Sequence, residues 1–439
     1  MIVRAVVGAV LQAAVVLSGT APANALSVPL ADWMGALPGI ENTPLAELPL
    51  PGTHDSATAD LSAASEWSAA GRADFGDAAL AFLPKSAAAA WSRAQPTSVG
   101  RQLEDGIRYL DLRLSTEPDG HVYLEHGLRG RPVRQVLDEV GAFAHSHPRE
   151  VVVLGLNRFT AFTDASYGEL ESAVTATVGD RLVPSSVSPR ATLRQLWDLG
   201  RNVVLVDQSG RLANLGALDA SAVYAPWPNT ADAAVMLDAA RKDLLGHDHS
   251  RFFGWGAILT PSASAIVGGA FRGVTSLADF TVRDAHPPAA AWLSGLAPGR
   301  NLNIVTTDWY TDPVCGTSFT RLVLSRVDGT DPRTAPCDVR STGSGTRWDG
   351  GDWSVHTWVD LTWDALPAAT GYQVSLRPAP GGGCQVGTTE TTSAAVAHLD
   401  RQNVAWAEYL CVGSQYDVTV RAMVAGGWQP WSAARRIRL

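Results

Sequence analysis

Residues 48–56 read LPLPGTHDS, and this stretch decides the fold. A short apolar run breaks at a Pro-Gly pair, and His54 and Asp55 follow immediately. Because Pro and Gly favour turns, the pattern predicts a strand that ends where a loop begins. We therefore expect the imidazole and the carboxylate at the mouth of a scaffold, outside its apolar core.

A second histidine stands in similar surroundings further along the chain. Residues 122–127 read VYLEHG, so His126 also follows an apolar, strand-like run. Unperturbed imidazole titrates at about pH 6.5, so one histidine can accept a proton while another donates one. His54 and His126 are therefore a candidate general base and general acid.

Apolar strand-like runs alternate with amphipathic segments between residues 45 and 310. This alternation predicts a mostly parallel sheet, and the runs that are apolar throughout indicate strands covered on both faces. The pattern favours an α/β fold with a closed or nearly closed barrel over an open sheet, although the sequence alone does not settle that choice. The predicted strands are 107–114, 121–125, 151–156, 202–207, 255–260 and 301–307, and the predicted helices are 133–144, 166–178 and 231–245.

Residues 59–98 are rich in Ala, Ser and Trp. They follow the first predicted strand and are interpreted as a helical insertion. Such an insertion either covers the site or pads the barrel, and the sequence leaves both alternatives open.

The predicted strand 107–114 reads IRYLDLRL. Because side chains alternate faces along a strand, its leucines share one face while Asp111 and Arg113 share the other. Burying a lone charge is costly, so both charges should be paired. An arginine at the open end of a barrel is suited to hold a phosphate. A purely structural Asp–Arg pair is the alternative.

Asp308 directly follows the predicted strand 301–307. A carboxylate at the carboxyl end of a barrel strand can orient a catalytic imidazole, although a loop cap is the simpler interpretation. Taken together, the candidates fall at four strand ends and suit in-line displacement at a phosphodiester by an internal hydroxyl. They are His54, Asp55, Asp111, Arg113, His126 and Asp308.

The N-terminus has the pattern of an export signal. Arg4 precedes an apolar stretch over residues 5–17, and residues 23–25 read ANA, a small-residue cleavage site. We therefore expect residues 1–25 to be a signal peptide and the mature protein to be secreted, with an uncleaved anchor as the alternative. The net charge of −9 argues against a nucleic-acid-binding protein and against strong attraction to anionic lipids.

The chain has four cysteines, and an even count in an exported protein suggests disulfides. Proximity in sequence favours Cys315 with Cys337 and Cys384 with Cys411, which is one of three possible pairings. No C-x-x-C spacing points to zinc.

The composition changes after the barrel, which we assign to residues 26–337. Residues 338–350 are rich in Gly, Ser and Thr and are predicted to be a linker. Beyond them, period-two alternation predicts a small all-β sandwich over 351–439. Its LTW and YDVTVRA runs resemble a fibronectin type III module, which we expect to bind a surface polymer or a protein.

Several motifs occur in order along the barrel. They are PGTHDS at 51–56, QLxxGIRYxDxR at 102–113, EHG at 125–127 and HPxEV at 147–151. The combination resembles the X domain of phosphatidylinositol-specific phospholipase C, over roughly residues 45–325. The segments APWPNT at 225–230 and LTPxAS at 259–264 are similar to small X-domain-containing proteins that lack other signalling domains.

The resemblance implies a TIM-type barrel that cleaves phosphatidylinositol-type lipids to diacylglycerol and inositol 1,2-cyclic phosphate. His54 is similar to the general base that deprotonates the inositol 2-hydroxyl, and Asp308 matches its orienting partner. His126 is similar to the general acid, with Asp55 beside it. Arg113 matches the arginine of metal-independent bacterial members, so neither metal nor other cofactor is implied.

The sequence also departs from the secreted members that it resembles. Those carry a lysine where Asn157 stands, followed here by Arg158. Asp111, Asn157 and Arg158 are the predicted substrate-binding residues, and Asp111 is also expected to position Arg113. The resemblance therefore supports the predicted reaction more strongly than it supports the identity of the lipid head group.

Two alternatives remain open at this point. The first is a phosphodiesterase acting on another head group, and the second is a non-catalytic adhesion protein that binds lipid or polysaccharide. We expect a monomer that contacts phospholipid at a membrane surface, with Trp227, Trp255 and Trp309 near the lipid-facing rim or packed in the core.

Overall fold

The structure of the chain is a computed structural model that describes most of the sequence. The described residues are 28–187, 189–246, 250–262, 266, 273–296, 302–349, 354–379, 387–391, 394–399, 410–411 and 413–439. The predicted signal peptide, residues 1–25, lies outside these residues, as does Cys384.

Ten strands of the described chain form the first sheet. Seven neighbouring pairs are parallel and join eight of the strands. Their order in the sheet is β7-β6-β5-β2-β1-β10-β9-β8. The two remaining strands, β3 and β4, form an antiparallel hairpin beside β2. The strands are β1 (Leu50–Thr53), β2 (Tyr109–Thr116), β3 (Val122–His126), β4 (Leu128–Pro132), β5 (Val152–Thr160), β6 (Val203–Asp207), β7 (Leu218–Asp219), β8 (Val223–Tyr224), β9 (Phe252–Gly256) and β10 (Ile304–Thr307).

This arrangement confirms the predicted α/β fold with a TIM-type barrel. The hydrogen-bonded order runs from β7 through β1 to β8, and within the described residues β7 and β8 are not paired with each other. The barrel is therefore open on that side. Strand β9 begins before the predicted strand 255–260, because Phe252 and Phe253 are already buried in the core.

Helices connect and cover the strands. The α-helices are α1 (Trp33–Ala36), α2 (Ala69–Phe75), α3 (Asp77–Leu80), α4 (Lys85–Ser92), α5 (Val99–Glu104), α6 (Val133–Ser146), α7 (Asp164–Val178), α8 (Leu193–Leu199), α9 (Ala233–Gly246), α10 (Leu277–Phe280), α11 (His286–Gly295) and α12 (Phe319–Asp328). A π-helical turn, Thr281–Ala285, joins α10 to α11. Helices α2 to α4 lie in the predicted insertion, and α6, α7 and α9 correspond to the predicted helices.

The two faces of β2 separate as the alternation predicts. Leu110, Leu112 and Leu114 are fully buried in the apolar layer shared with α6 and α7. On the other face, Asp111 and Arg113 line a cavity inside the barrel mouth. The apolar layer fixes the strand, and the strand in turn presents two charges to the cavity.

An antiparallel module follows the barrel. In the described residues it contains β11 (Cys337–Asp349), β12 (Ser354–Asp364), β13 (Ala369–Pro378), β14 (Gly387–Thr391), β15 (Val396–Leu399), β16 (Gln415–Val424), β17 (Gly427–Trp428) and β18 (Arg435–Arg438). Strands β11, β12 and β15 form one sheet, and the others form a second sheet. Side chains of both sheets share one apolar core, as in a sandwich. The likeness to fibronectin type III remains a prediction.

The linker predicted for residues 338–350 is wrong, because residues 337–349 form strand β11. This strand pairs with β12 from Cys337–Asp364 to Asp349–Ser354. A Cβ atom on Gly343 or Gly345 would lie 3.2 Å from the Trp358 ring on β12. These glycines therefore make room for a cross-strand indole, and the module begins before the predicted residue 351.

A disulfide joins Cys315, in the loop after β10, to Cys337 at the start of β11. It confirms the first predicted pairing, whereas the second involves Cys384 and lies outside the described residues. Among the helices that are described, none has the length and apolar character needed to cross a bilayer.

Candidate active site

The predicted catalytic residues meet at the carboxyl ends of the barrel strands. Strands β1 and β10 are parallel neighbours with Thr53 opposite Thr307. The next residue of each strand is therefore also adjacent, which brings His54 beside Asp308. The register of two neighbouring strands thus creates the His–Asp pair.

His54 has a different partner on each ring nitrogen. Its Nδ1 lies 2.9 Å from Oδ1 of Asp308, and its Nε2 lies 2.7 Å from Nη2 of Arg113. In this geometry Arg113 donates to the neutral imidazole. Asp308 accordingly holds the tautomer with hydrogen on Nδ1 and leaves the lone pair of Nε2 directed towards Arg113.

Asp55 lies at the centre of the site. Its backbone has a φ of 44°, a left-handed conformation that aspartate tolerates better than most residues. One carboxylate oxygen lies 2.6 Å from Nε of Arg113. The other lies 3.1 Å from Nε2 of His126 and 3.3 Å from Nε2 of His54. A single buried carboxylate thus faces both histidines and the arginine.

The two imidazoles face the same small space. Their ring centroids are 6.2 Å apart, and the rings are nearly perpendicular. His126 uses Nδ1 to contact the main-chain carbonyl of Ser92 at 2.7 Å, so its Nε2 faces Asp55. Two proton-transfer groups are therefore directed towards one position beside the Arg113 guanidinium.

Burial and charge oppose each other at His54. Burial lowers the pKa of its imidazole, but the carboxylates of Asp55 and Asp308 outweigh burial and raise this pKa to about 9. Burial raises the pKa of Asp55, but Arg113 and the two histidines hold it below its usual value. Arg113 donates to neutral His54 only, so protonation of His54 and this arginine contact compete.

Asp111 and Asn157 line the cavity as a bonded pair. The Nδ2 of Asn157 donates to Oδ1 of Asp111, and the backbone N–H of Asp55 donates to Oδ2 over 3.1 Å. The Nε of Arg113 is 3.8 Å from Oδ2 of Asp111. Asp111 thus supports both the loop of Asp55 and the charge of Arg113.

Arg158, predicted to bind substrate, is not among the residues that line the cavity. Strand β2 pairs Arg113 with Asn157 and Leu114 with Phe159, so Arg158 is the extra residue of a bulge, with a φ of 56°. Its Nη2 donates to both carboxylate oxygens of Asp74 on α2, at 2.7 and 2.8 Å. The bulge redirects this side chain to the insertion.

The cavity beside these residues has a volume of about 320 Å³. Trp227 forms part of its wall, is 46% exposed and stacks on His54 with 5.3 Å between ring centroids. Trp255 is instead buried against Trp292, and Trp309 donates its indole N–H to the carbonyl of Arg93. Of the three tryptophans predicted for either the rim or the core, Trp227 is the one that lines the cavity.

A larger cleft of about 670 Å³ lies between the outer helices of the barrel and the antiparallel module. None of the predicted catalytic residues lines it. We therefore assign the chemistry to the smaller cavity, where the titratable groups converge.

One set of residues in the described chain has the spacing of a cation site. His54, Asp55 and Asp111 each offer a ligand atom within 4.8 Å of the others. The guanidinium of Arg113 contacts His54 and Asp55 and already supplies a positive charge there. A metal ion bound by these three residues would lie beside this guanidinium.

Two supporting residues carried no sequence signal. Buried Gln95 donates from Nε2 to the carbonyls of His54 and Thr307, at 2.8 and 2.9 Å. Buried His286 contacts the carbonyl of Asp308 at 3.0 Å, and burial lowers the pKa of this imidazole to about 4. Both lie outside the motifs, and only the fold brings them to the strand ends.

Comparison with known proteins agrees with this geometry, although no family model matches the chain. PI-PLC X domain-containing protein 3 of Danio rerio is 32% identical over 296 residues, which cover 64% of this chain and 88% of that protein. The human protein of the same name is 30% identical over 294 residues, with 64% and 89% covered.

A solved structure shows the same fold. The phosphatidylinositol-specific phospholipase C of Staphylococcus aureus matches with a TM-score of 0.51 and 13% identity, over 68% of this chain and 97% of that one. Because the X-domain relatives share about a third of their residues with the chain over most of their own length, the chain belongs to the family of PI-PLC X domain-containing proteins.

Proposed function

We propose that the protein is a phosphodiesterase that cleaves phosphatidylinositol-type lipids without a metal ion. The observation that carries the proposal is the convergence of His54, His126 and Arg113 on one carboxylate beside a cavity. Two imidazoles with opposite tasks and one fixed cation are what attack by an internal hydroxyl at a phosphodiester requires. Family membership supports the choice of inositol lipids.

The proposed reaction uses one proton acceptor and one proton donor. Nε2 of His54 takes the proton of the inositol 2-hydroxyl as its oxygen attacks phosphorus. The bond from phosphorus to the glycerol oxygen breaks, and protonated His126 supplies a proton to that oxygen. The products are inositol 1,2-cyclic phosphate and diacylglycerol, and the two histidines have exchanged protonation states.

Arg113 stabilises the charge that develops on the phosphoryl oxygens. Its guanidinium is 2.6 Å from Asp55 and 2.7 Å from His54, so it is held before substrate arrives. Donors that are fixed in advance stabilise a transition state without reorganisation. When a phosphate oxygen takes the hydrogen bond of Arg113, the Nε2 of His54 becomes available for the hydroxyl proton.

We also propose peripheral contact with a lipid surface. Phe82 is 89% exposed, and Phe75 and Leu83 of the same insertion are 59% and 39% exposed. Exposed apolar groups that cluster on one segment mark an interaction surface. The net charge of −9 argues against strong electrostatic attraction to anionic lipids, so we expect apolar contact to provide the binding.

Secretion is a proposal as well. It is supported by the signal-like pattern of residues 1–25 and by the disulfide between Cys315 and Cys337. Disulfides form and persist mainly in oxidising compartments. Detection of the processed chain outside the cell, starting at Leu26, is the expected result.

Another phosphodiester head group is the second candidate, and one observation favours testing it. Asn157 lies where the resemblance calls for a lysine, and its amide is bonded to Asp111. A panel of inositol and glycerol phosphodiesters distinguishes the two candidates by which one is hydrolysed.

The test of the proposed function is a pair of histidine variants. We expect His54→Ala and His126→Ala each to lower turnover of phosphatidylinositol by a factor of about 10² to 10⁴, because each removes a proton-transfer group. His121→Ala, at an exposed histidine before β3, is the matched control and should retain activity. Near-normal turnover in either of the first two variants would refute the assignment, and lipid binding without turnover in the unaltered protein would favour an adhesion protein.

A further inference from the structure

We propose that the insertion over residues 59–98 is a fixed positioning element that holds the general acid and the general base in place. The proposal rests on the proposed function of the same site. It assigns to the insertion a task that neither a covering lid nor simple padding would have. The evidence comes from two arms of the insertion. The first contacts the hairpin that carries His126, and the second contacts both His126 and the main chain at His54.

The first arm binds the hairpin that carries His126. The carbonyl of Glu66 accepts from the N–H of Arg129 at 2.7 Å, and the N–H of Ser68 donates to the carbonyl of Gly127 at 3.1 Å. The hydroxyl of Ser68 also donates to the buried carboxylate of Glu125 at 3.1 Å. These bonds hold the chain on both sides of His126.

Gly71 permits this close approach. It lies on α2, and a Cβ atom at this position would stand 2.1 Å from the carbonyl oxygen of Gly127. No side chain fits in that space, so helix and hairpin must separate if one is introduced. The hairpin position therefore depends on a residue outside the predicted catalytic set.

The second arm contacts the imidazole of His126 itself. The carbonyl of Ser92 lies in the last turn of α4 and accepts from Nδ1 of His126 at 2.7 Å. Ser92 thus orients His126 with Nε2 towards the site.

The second arm also connects the ends of the two strands that carry His54 and Asp308. Gln95 bridges the carbonyls of His54 and Thr307, which end β1 and β10. The carbonyl of Ala94 accepts from the N–H of Trp309, directly after Asp308, at 2.8 Å. Because Asp308 lies between these contacts, the arm fixes the distance between His54 and Asp308.

The contacts that hold His126 and those that hold His54 predict separable defects. A diacylglycerol oxygen needs a proton as it leaves, whereas 4-nitrophenolate leaves as an anion without one. Displacement of His126 should therefore slow the lipid far more than an inositol 4-nitrophenyl phosphate. Displacement of His54 should slow both substrates, because both need the hydroxyl proton removed.

The experiment compares Gly71→Ala with Gln95→Met on both substrates, with the lipid presented in detergent micelles. We expect Gly71→Ala to lower kcat on the lipid by about tenfold to a hundredfold, with a change of about twofold or less on the aryl substrate. Gln95→Met should lower both rates by similar factors. Gly168→Ala is the matched control, since nothing lies within 4 Å of a Cβ atom there.

A spectroscopic readout separates positioning from general damage. In neutral His126 the bond to Ser92 holds hydrogen on Nδ1, and nitrogen NMR should show this tautomer in the unaltered protein. We expect Gly71→Ala to shift the ring towards the Nε2–H tautomer while the protein stays folded. If Gly71→Ala does not fold, Ser68→Ala removes the bond to Glu125 and should give the same leaving-group dependence more weakly.

Equal loss on both substrates in folded Gly71→Ala, or no loss on either, would overturn the proposal. An unchanged His126 tautomer in that variant would also contradict it. Absence of turnover by the unaltered protein would instead contradict the proposed function. The tautomer of His126 in Gly71→Ala would still test whether the insertion positions this ring.

Discussion

At the scale of single residues, His54 is under two opposing influences. Burial disfavours its charged form, whereas Asp55 and Asp308 favour it strongly enough to raise the pKa to about 9. A base with this pKa is mostly protonated at neutral pH in the free protein. Its proton must leave before it can accept one from a hydroxyl.

This leads to a prediction about pH. On an inositol 4-nitrophenyl phosphate, whose leaving group needs no proton from His126, we expect kcat/KM to rise with pH up to about 9, because the neutral fraction of His54 grows over that range. Asp308→Asn removes a negative charge that favours the imidazolium, so the pKa of His54 should fall and the rise should move to lower pH. A pH–rate profile of each protein measures the shift.

Asp312→Asn is the control for this experiment, since that half-buried carboxyl is not among the charges that act on His54. Its profile should keep the position found for the unaltered protein. A profile that does not move in Asp308→Asn would contradict the pairing of His54 with Asp308.

The sequence predicts some of these residues and not others, for physical reasons. His54 and Asp308 each follow an apolar strand, and parallel strands bring such ends together. The sequence does not reveal that Arg158 lies outside the cavity, because a bulge turns its side chain away and a bulge leaves no periodic signal. It also does not reveal the contacts of Gln95, because the amide of Gln95 bonds to main-chain carbonyls, which any sequence could offer.

At the scale of elements, the insertion carries two features at once. Its arms hold the histidines, and its middle exposes Phe75, Phe82 and Leu83. The exposed side chains thus belong to the same insertion that contacts the catalytic histidines. Composition alone predicts helices there but cannot distinguish padding from a working part.

We predict that the double variant Phe82→Ser, Leu83→Ser binds neutral phosphatidylcholine vesicles at least about tenfold more weakly, since it loses two apolar side chains of about 1.5–3 kcal/mol each when fully buried. Vesicle co-sedimentation measures the affinity. The control is Leu199→Ser, because Leu199 is 45% exposed but ends a helix that leads into the opposite end of strand β6. Equal binding by the double variant and the unaltered protein would exclude this surface.

Strand β11 could not be predicted from composition. Its Gly, Ser and Thr content is typical of a linker, yet Gly343 and Gly345 pack closely against the ring of Trp358. The partner of these glycines stands on the next strand. A local window of sequence contains no information about that contact.

At the scale of the whole molecule, the alternation of strands and helices favours a barrel over an open sheet without settling the choice, and the resemblance to the X domain implies the TIM type. The opening between β7 and β8 was not predictable, because these strands have two residues each and lack a periodic pattern.

The junction between the barrel and the antiparallel module is held by ion pairs as well as by the disulfide. Arg435 contacts Asp284 at 2.9 Å, and Arg333 pairs with Asp364.

We predict that the double variant Cys315→Ser, Cys337→Ser unfolds with a free energy lower by about 3 kcal/mol, because the disulfide restricts a loop in the unfolded chain. The two cysteines are separated by 22 positions in sequence. Chemical denaturation of both proteins under non-reducing conditions measures the difference. Equal stability would show that this bridge does not contribute to the fold.

The most direct test of the central claim is the product formed from phosphatidylinositol in the presence of excess EDTA, identified by phosphorus NMR. If His54 and His126 act on one phosphodiester with Arg113 as the cation, inositol 1,2-cyclic phosphate should appear at the same rate with and without the chelator. Turnover that begins only when calcium is added, or no phosphorus product at all, would contradict the account.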